Sequence, residues 1–158
     1  MDTAYKTTLE LDKVLNRAVQ LCACQETKEM MQALEPAPTI EDERYDLTQT
    51  NAINALLIKN GSPRFGSVRE VRRIVAHARK GGILSMGELL EIAATLRNFS
   101  GLSQWYGLSE HEMLPTDDLF FALAPQPVLE KQISESILSP EEMADTASVT
   151  LHDLRRKI

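Results

Sequence analysis

Apolar residues return along this chain at the spacing of a helix. Leu11, Val14, Leu15, Ala18 and Cys22 fall at i, i+3, i+4, i+7 and i+11, one face of a 3.6-residue repeat. Thr7 and Glu10 just upstream match a capping box, in which a hydroxyl and a carboxylate satisfy orphan amides. A second helix is expected over about 25–34, with Met30, Met31 and Leu34 apolar and Pro36 and Pro38 ending it. A third should start after Thr39, with Glu41, Asp42 and Glu43 at the positive end of its dipole. It runs to about Lys59, where Asn60-Gly61 stops it.

Gly61-Ser62-Pro63-Arg64-Phe65-Gly66 is the clearest loop. A fourth helix is expected over about 67–80, with Val68, Val71, Ile74, Val75 and Ala78 inward and Gly81-Gly82 as its terminator. Ser85 and Glu88 form a capping box for a fifth helix, striped by Leu89, Ile92, Ala93 and Leu96. Its end is ambiguous between continued helix and a break near Trp105-Tyr106-Gly107. A short sixth helix is expected over 115–124, closed by Pro125. Leu129, Ile133 and Ile137 mark a seventh, a connector covers 139–148, and a last helix begins near Val149 with Leu151, Leu154 and Ile158. No stretch alternates for four or more residues as a strand would. The expectation is an all-α bundle of seven or eight helices, the last cut off by the end of the chain.

With 158 residues the chain is long enough to bury a core without disulfide or metal. The longest apolar run, Leu119 to Ala124, is far short of a membrane span. No basic and apolar leader opens the chain, so a cytoplasmic protein is expected, with no membrane contact. Cys22 and Cys24 are expected in a helix, pointing apart, as reduced and partly buried thiols.

The formal charge is −6, a poor footprint for a protein that coats nucleic acid. The charge is uneven, however. Residues 61–80 hold six cations, Arg64, Arg69, Arg72, Arg73, Arg79 and Lys80, against one carboxylate, Glu70. That excess marks them as candidates for binding a phosphate backbone or an acidic protein surface. A solvated helix face is the bland alternative.

No constellation carries catalysis. Gly61-x-x-x-x-Gly66 begins like a phosphate-binding loop, but Ser67-Val68 follow where Lys and Ser or Thr are needed. His77, His111 and His152 share no metal-ligand spacing with one another or with the cysteines, and there is no nucleophile elbow. The expectation is no catalytic residue, no cofactor and no metal site within these residues.

The order of several short motifs nevertheless resembles a known family. Thr8-Leu9-Glu10-Leu11-Asp12-Lys13-Val14, Leu34-Glu35-Pro36 and Thr50-Asn51-Ala52 are similar to the opening helices of the MutS-two family, the bacterial MutS paralogue without the mismatch-reading domain. Lys59-Asn60-Gly61-Ser62-Pro63-Arg64-Phe65-Gly66 resembles its Gly-x-Pro-x-Phe-Gly loop. Lys80-Gly81-Gly82-Ile83-Leu84-Ser85 with Glu88-Leu89-Leu90 resembles the Gly-Gly-x-Leu-Ser segment after it. Asp145-Thr146-Ala147-Ser148, then Leu151 and Leu154 to Ile158, resembles an Asp-x-Ala-Ser stretch and the start of a long lever helix.

The resemblance implies an N-terminal helical core over 1–148 and the start of a lever over 149–158. It implies a longer parent protein: a homodimeric ATPase using ATP and magnesium, often with an Smr nuclease domain. Such proteins are linked to branched DNA, suppression of recombination and rescue of collided ribosomes, with contact to ribosomal RNA. None of the ATPase or nuclease motifs occurs here, so no catalytic residue is carried over. The rival reading is a free-standing helical adaptor that binds an acidic partner through the basic helix 68–80.

Overall fold

The structure, a computed structural model, describes residues 8–64, 66, 69–108 and 112–157. Thr7, Phe65, Ser67, Val68, His111 and Ile158, which entered the expectations above, lie outside the described residues. Within them the chain forms eight α-helices, a two-stranded ribbon and one 3-10 turn. The all-α expectation is met. Contacts gather into two units, Met1–Ser62 with Ser109–Asp118, and Pro63–Leu108 with Leu119–Ile158.

In the first unit, α1 (Leu11–Leu21) packs on α2 (Gln25–Gln32). Thr7 of the capping box expected at the start of α1 lies outside the described residues. Glu10 is the N-cap of α1, in the left-handed region at φ 56°. Its carboxylate pairs with Lys13 Nζ at 2.6 Å. Cys22 and Cys24 are not inside a helix. They flank the turn between α1 and α2 as C-cap and N-cap, both half-buried and free.

The third helix, α3 (Ile40–Asn60), starts and stops where local chemistry dictates. The Thr39 hydroxyl accepts the Asp42 amide at 3.1 Å, and Gly61 leaves the helix at φ 72°, a conformation that strains a residue with a Cβ. Tyr45 and Gln49 on α3 donate to the Pro115 carbonyl at 3.3 and 2.8 Å, which ties the segment around fully buried Thr116 to this helix.

In the second unit, α4 covers only Arg72–Arg79, half the length that periodicity predicts. Two causes are visible. Val71, at the N-cap, offers no side chain to the orphan amides. Arg72 and Arg73 also place cations at the positive end of the dipole. The far end is well terminated. Gly82 N–H donates to His77 O at 3.1 Å and Gly81 N–H to Ala78 O at 2.9 Å, the paired bonds of a Schellman turn, with Gly81 at φ 82°.

The long helix α5 (Met86–Tyr106) begins in a complete capping box and carries the core. Ala93 on α5 is buried with Ile133 of α7 (Pro127–Ser136) and Ile137, and Met86, Leu89, Leu90 and Ile92 pack around them. Of the two alternatives for its end, the helix runs on through Gly101 and stops at Tyr106, with Gly107 as its C-cap. At its end Tyr106 stacks on Phe120 of the short α6 (Asp117–Phe121), ring centroids 3.9 Å apart, with Trp105 tilted beside them.

The seventh helix was expected to carry Ile137, but it ends at Ser136. Ile137 turns extended and opens β1 (Ile137–Ser139), antiparallel to β2 (Glu142–Met143). β-branching favours the extended state, and burial of Ile137 against α5 is kept either way. A 3-10 turn (Asp145–Ala147) leads to α8 (Val149–Arg156), capped by the Ser148 hydroxyl. Arg155 holds this end together through Asp145 and the Met143 carbonyl.

Candidate functional site

The six candidate cations all belong to the second unit and all are exposed. They do not share one helix. Arg64 lies in the loop, Arg69 precedes α4, Arg72, Arg73 and Arg79 are on it, and Lys80 is its C-cap. At about 100° per residue, Arg72, Arg73 and Arg79 fall within a sector of about 120°, with Ile74 on the opposite side. Ile74 is the helix's one buried residue. The remainder of the expected apolar face is corrected: Val71 is half-buried, Val75 is 43% exposed and Ala78 is exposed.

Arg69 approaches Glu91 of α5 at 3.8 Å. Arg64, Arg73, Arg79 and Lys80 form no ion pair with any described residue. Arg72 and Arg73 stand in the first turn of α4, where the dipole opposes them by about 0.3–1 kcal/mol each. By contrast the carboxylates of this unit serve structure. The Ser85 amide and hydroxyl hold the Glu88 carboxyl below its ordinary pKa, with a smaller contribution from His77. Hydrogen bonds from Arg97 and Ser134 do the same for Glu130 on α7.

The glycine loop does not fit a nucleotide. Pro63 has no amide proton, and the Gly66 amide is already given to Asn98 Oδ1 of α5 at 3.0 Å. A Cβ at Gly66 would meet that same oxygen at 2.4 Å, so glycine here serves close packing of loop on helix. Among the described residues no group of three His, Cys, Asp or Glu could hold a metal ion. None of their helices is long and apolar enough to cross a membrane.

Sequence reasoning missed a second surface, an open groove of about 530 Å³ in the first unit. Leu11 and Leu15 of α1, Leu34 after α2 and Leu47 of α3 supply its apolar lining. Glu35, Glu43 and Asp46 supply its charge, and no cation among the described residues lines it. The stripe through Leu11 and Leu15 was visible in the sequence. What could not be seen is that nothing among the described residues fills the space it faces.

No family model and no solved structure matches the chain. Curated proteins do. The chain is 32% identical over 160 residues to endonuclease MutS2 of Ruminiclostridium cellulolyticum, a match covering all of this chain and 20% of that protein. It is 29% identical over 152 residues to endonuclease MutS2 of Clostridium beijerinckii, covering 95% of this chain and 19% of that protein. With endonuclease MutS2 of Halothermothrix orenii it shares 28% over 166 residues, all of this chain and 21% of that protein. The chain spans about a fifth of the length of the curated relatives it matches. It therefore resembles, along nearly its whole length, one segment of the MutS2 endonucleases.

Proposed function

We propose that this chain is the N-terminal structural and coupling segment of a MutS-family protein that binds DNA, hydrolyses ATP and acts on branched DNA or stalled ribosomes. The observation that supports the reading is the match, over nearly the whole chain, to proteins five times longer. ATP and magnesium would be bound by other residues of such a protein, as would any nuclease chemistry. The parent would work in the cytoplasm as a homodimer. This segment's part is mechanical. Packed helices such as α5 and α7 pass a change of geometry along, and Arg64, Arg69, Arg72, Arg73, Arg79 and Lys80 meet phosphates without reading sequence.

The test is binding of a labelled four-way DNA junction, and of ribosomes, across a series of salt concentrations. About four phosphate contacts give a log–log slope of about −3.6 on duplex arms. The variant with Arg64, Arg72, Arg73 and Arg79 all changed to Glu should lose this binding while its helical circular dichroism stays unchanged. No binding by the wild-type chain at low salt, or equal binding by both proteins, overturns the phosphate role. Capture of an acidic protein in place of nucleic acid would favour the adaptor reading.

A further inference from the structure

We infer that the groove of the first unit is a docking site for a basic amphipathic helix supplied by a partner protein. The inference is independent of the phosphate surface, which belongs to the other unit. Two walls of the groove present helical rows: Leu11 and Leu15 at i, i+4 on α1, and Glu43, Leu47 and Thr50 at i, i+4, i+7 on α3. Rows of that spacing accept the ridge of a third helix laid between them. The volume, about 530 Å³, lies in the range of sites that seat a few large side chains.

The lining also says which helix. Leu34 and Leu47 are 53% and 54% exposed, so apolar surface is there to be covered. Among the described residues that line it, Glu43 and Asp46 place carboxylates beside the apolar rows and no cation is present, which attracts lysines and arginines flanking an apolar stripe and repels acidic helices. The Glu43 carboxylate is steadied by the Ala37 amide at 3.4 Å, which holds it near the apolar lining. The chain's own basic helix α4 is a poor occupant in a second copy: it is two turns long and exposes one large apolar residue, Val75, where the groove offers a row.

Two synthetic helical peptides test this, both with leucines at i, i+4 and i+7, one flanked by lysines and the other by glutamates. Calorimetric titration into the whole chain should show the lysine peptide binding at least about tenfold tighter, with the gap narrowing at high salt. Asp46→Lys together with Glu43→Gln should close or reverse that preference. Glu43→Gln keeps an acceptor for the Ala37 amide, and circular dichroism reports whether the fold is kept. Leu47→Asn, at an exposed position, should weaken the lysine peptide about tenfold without loss of helicity. The inference is overturned if neither peptide binds, if both bind alike, or if the folded variants bind like the wild type. It is also overturned if sedimentation shows the chain associating with itself through the groove, an association that Leu47→Asn abolishes.

Discussion

The two units use the same helical vocabulary and end up packed very differently. The second buries Ile74, Ala93, Trp105, Tyr106, Ile133, Ile137 and Ala144, most of them along α5 and what lies against it. The first buries, among its described residues, one apolar side chain, Leu56, together with Thr116. Exposed apolar side chains occur in both units, Leu21 at 88% and Ile58 at 80% in the first, Ile83 at 92% and Phe121 at 73% in the second. Covering one such side chain is worth about 1.5–3 kcal/mol. Local signals therefore suffice to draw helices in both units, but only the second converts them into a core. The first carries apolar surface that a partner could cover.

The largest expected effect separates the units directly. Ile133→Ala should cost about 2–4 kcal/mol in urea denaturation followed by Trp105, the chain's one tryptophan, because it opens a cavity in the α5–α7 core. Leu47→Ala in the first unit should cost under about 0.5 kcal/mol. Equal costs would erase the distinction.

Next in size are the devices that end and start helices. Gly81→Ala should cost about 1–2 kcal/mol, since φ 82° forces a Cβ against the following carbonyl. Gly82→Ala acts by another route: a Cβ there would lie 2.2 Å from His77 Nε2, so the imidazole must swing away, visible as a shifted His77 resonance. Ser85→Ala and Thr39→Ala should each cost about 1 kcal/mol, one cap from each unit.

The Ser85 box adds a pH signature. The Glu88 carboxyl is held below its ordinary 4.5 in the folded chain by Ser85. Its contribution is thus complete at neutral pH and is lost as pH falls below 4.5 through the lowered folded value. Melting temperature measured from pH 7 to 3 should fall on the acid side, and less steeply in Ser85→Ala. Glu130, lowered by Arg97, adds to the same acid limb, so Arg97→Leu should flatten it further. The smallest effect is a gain: Arg72→Glu and Arg73→Glu should each stabilise α4 by about 0.3–1 kcal/mol.

Much of this fold was legible because its signals are short-range. Thr39 and Gly61 bound α3, Ser85 and Glu88 start α5, and Gly81-Gly82 close α4, all through contacts within a few residues. The misses were decided at longer range or by competition. Valine periodicity drew α4 six residues too long, while the missing cap at Val71 and the misplaced Arg72 and Arg73 shortened it. Ile137 kept its core position but changed from helix to strand, which a pattern of apolar spacing alone does not register. The cations of the basic island were readable as residues, and the grouping of Arg72, Arg73 and Arg79 on one side of α4 follows from its period. The groove was not readable, because Leu11, Leu34 and Leu47 look like core residues until their exposure is known.

The central claim is that the second unit stands on its own packing and the first contributes surface. Hydrogen exchange on the free chain tests it most directly, amide by amide. Amides of α5 and α7 facing Ala93 and Ile133 should exchange only with global unfolding. Those of α1 and α2 should open locally, with protection lower by a factor of about a hundred or more, nearly 3 kcal/mol. Equal protection across α1, α2, α5 and α7 in the free chain would contradict the account.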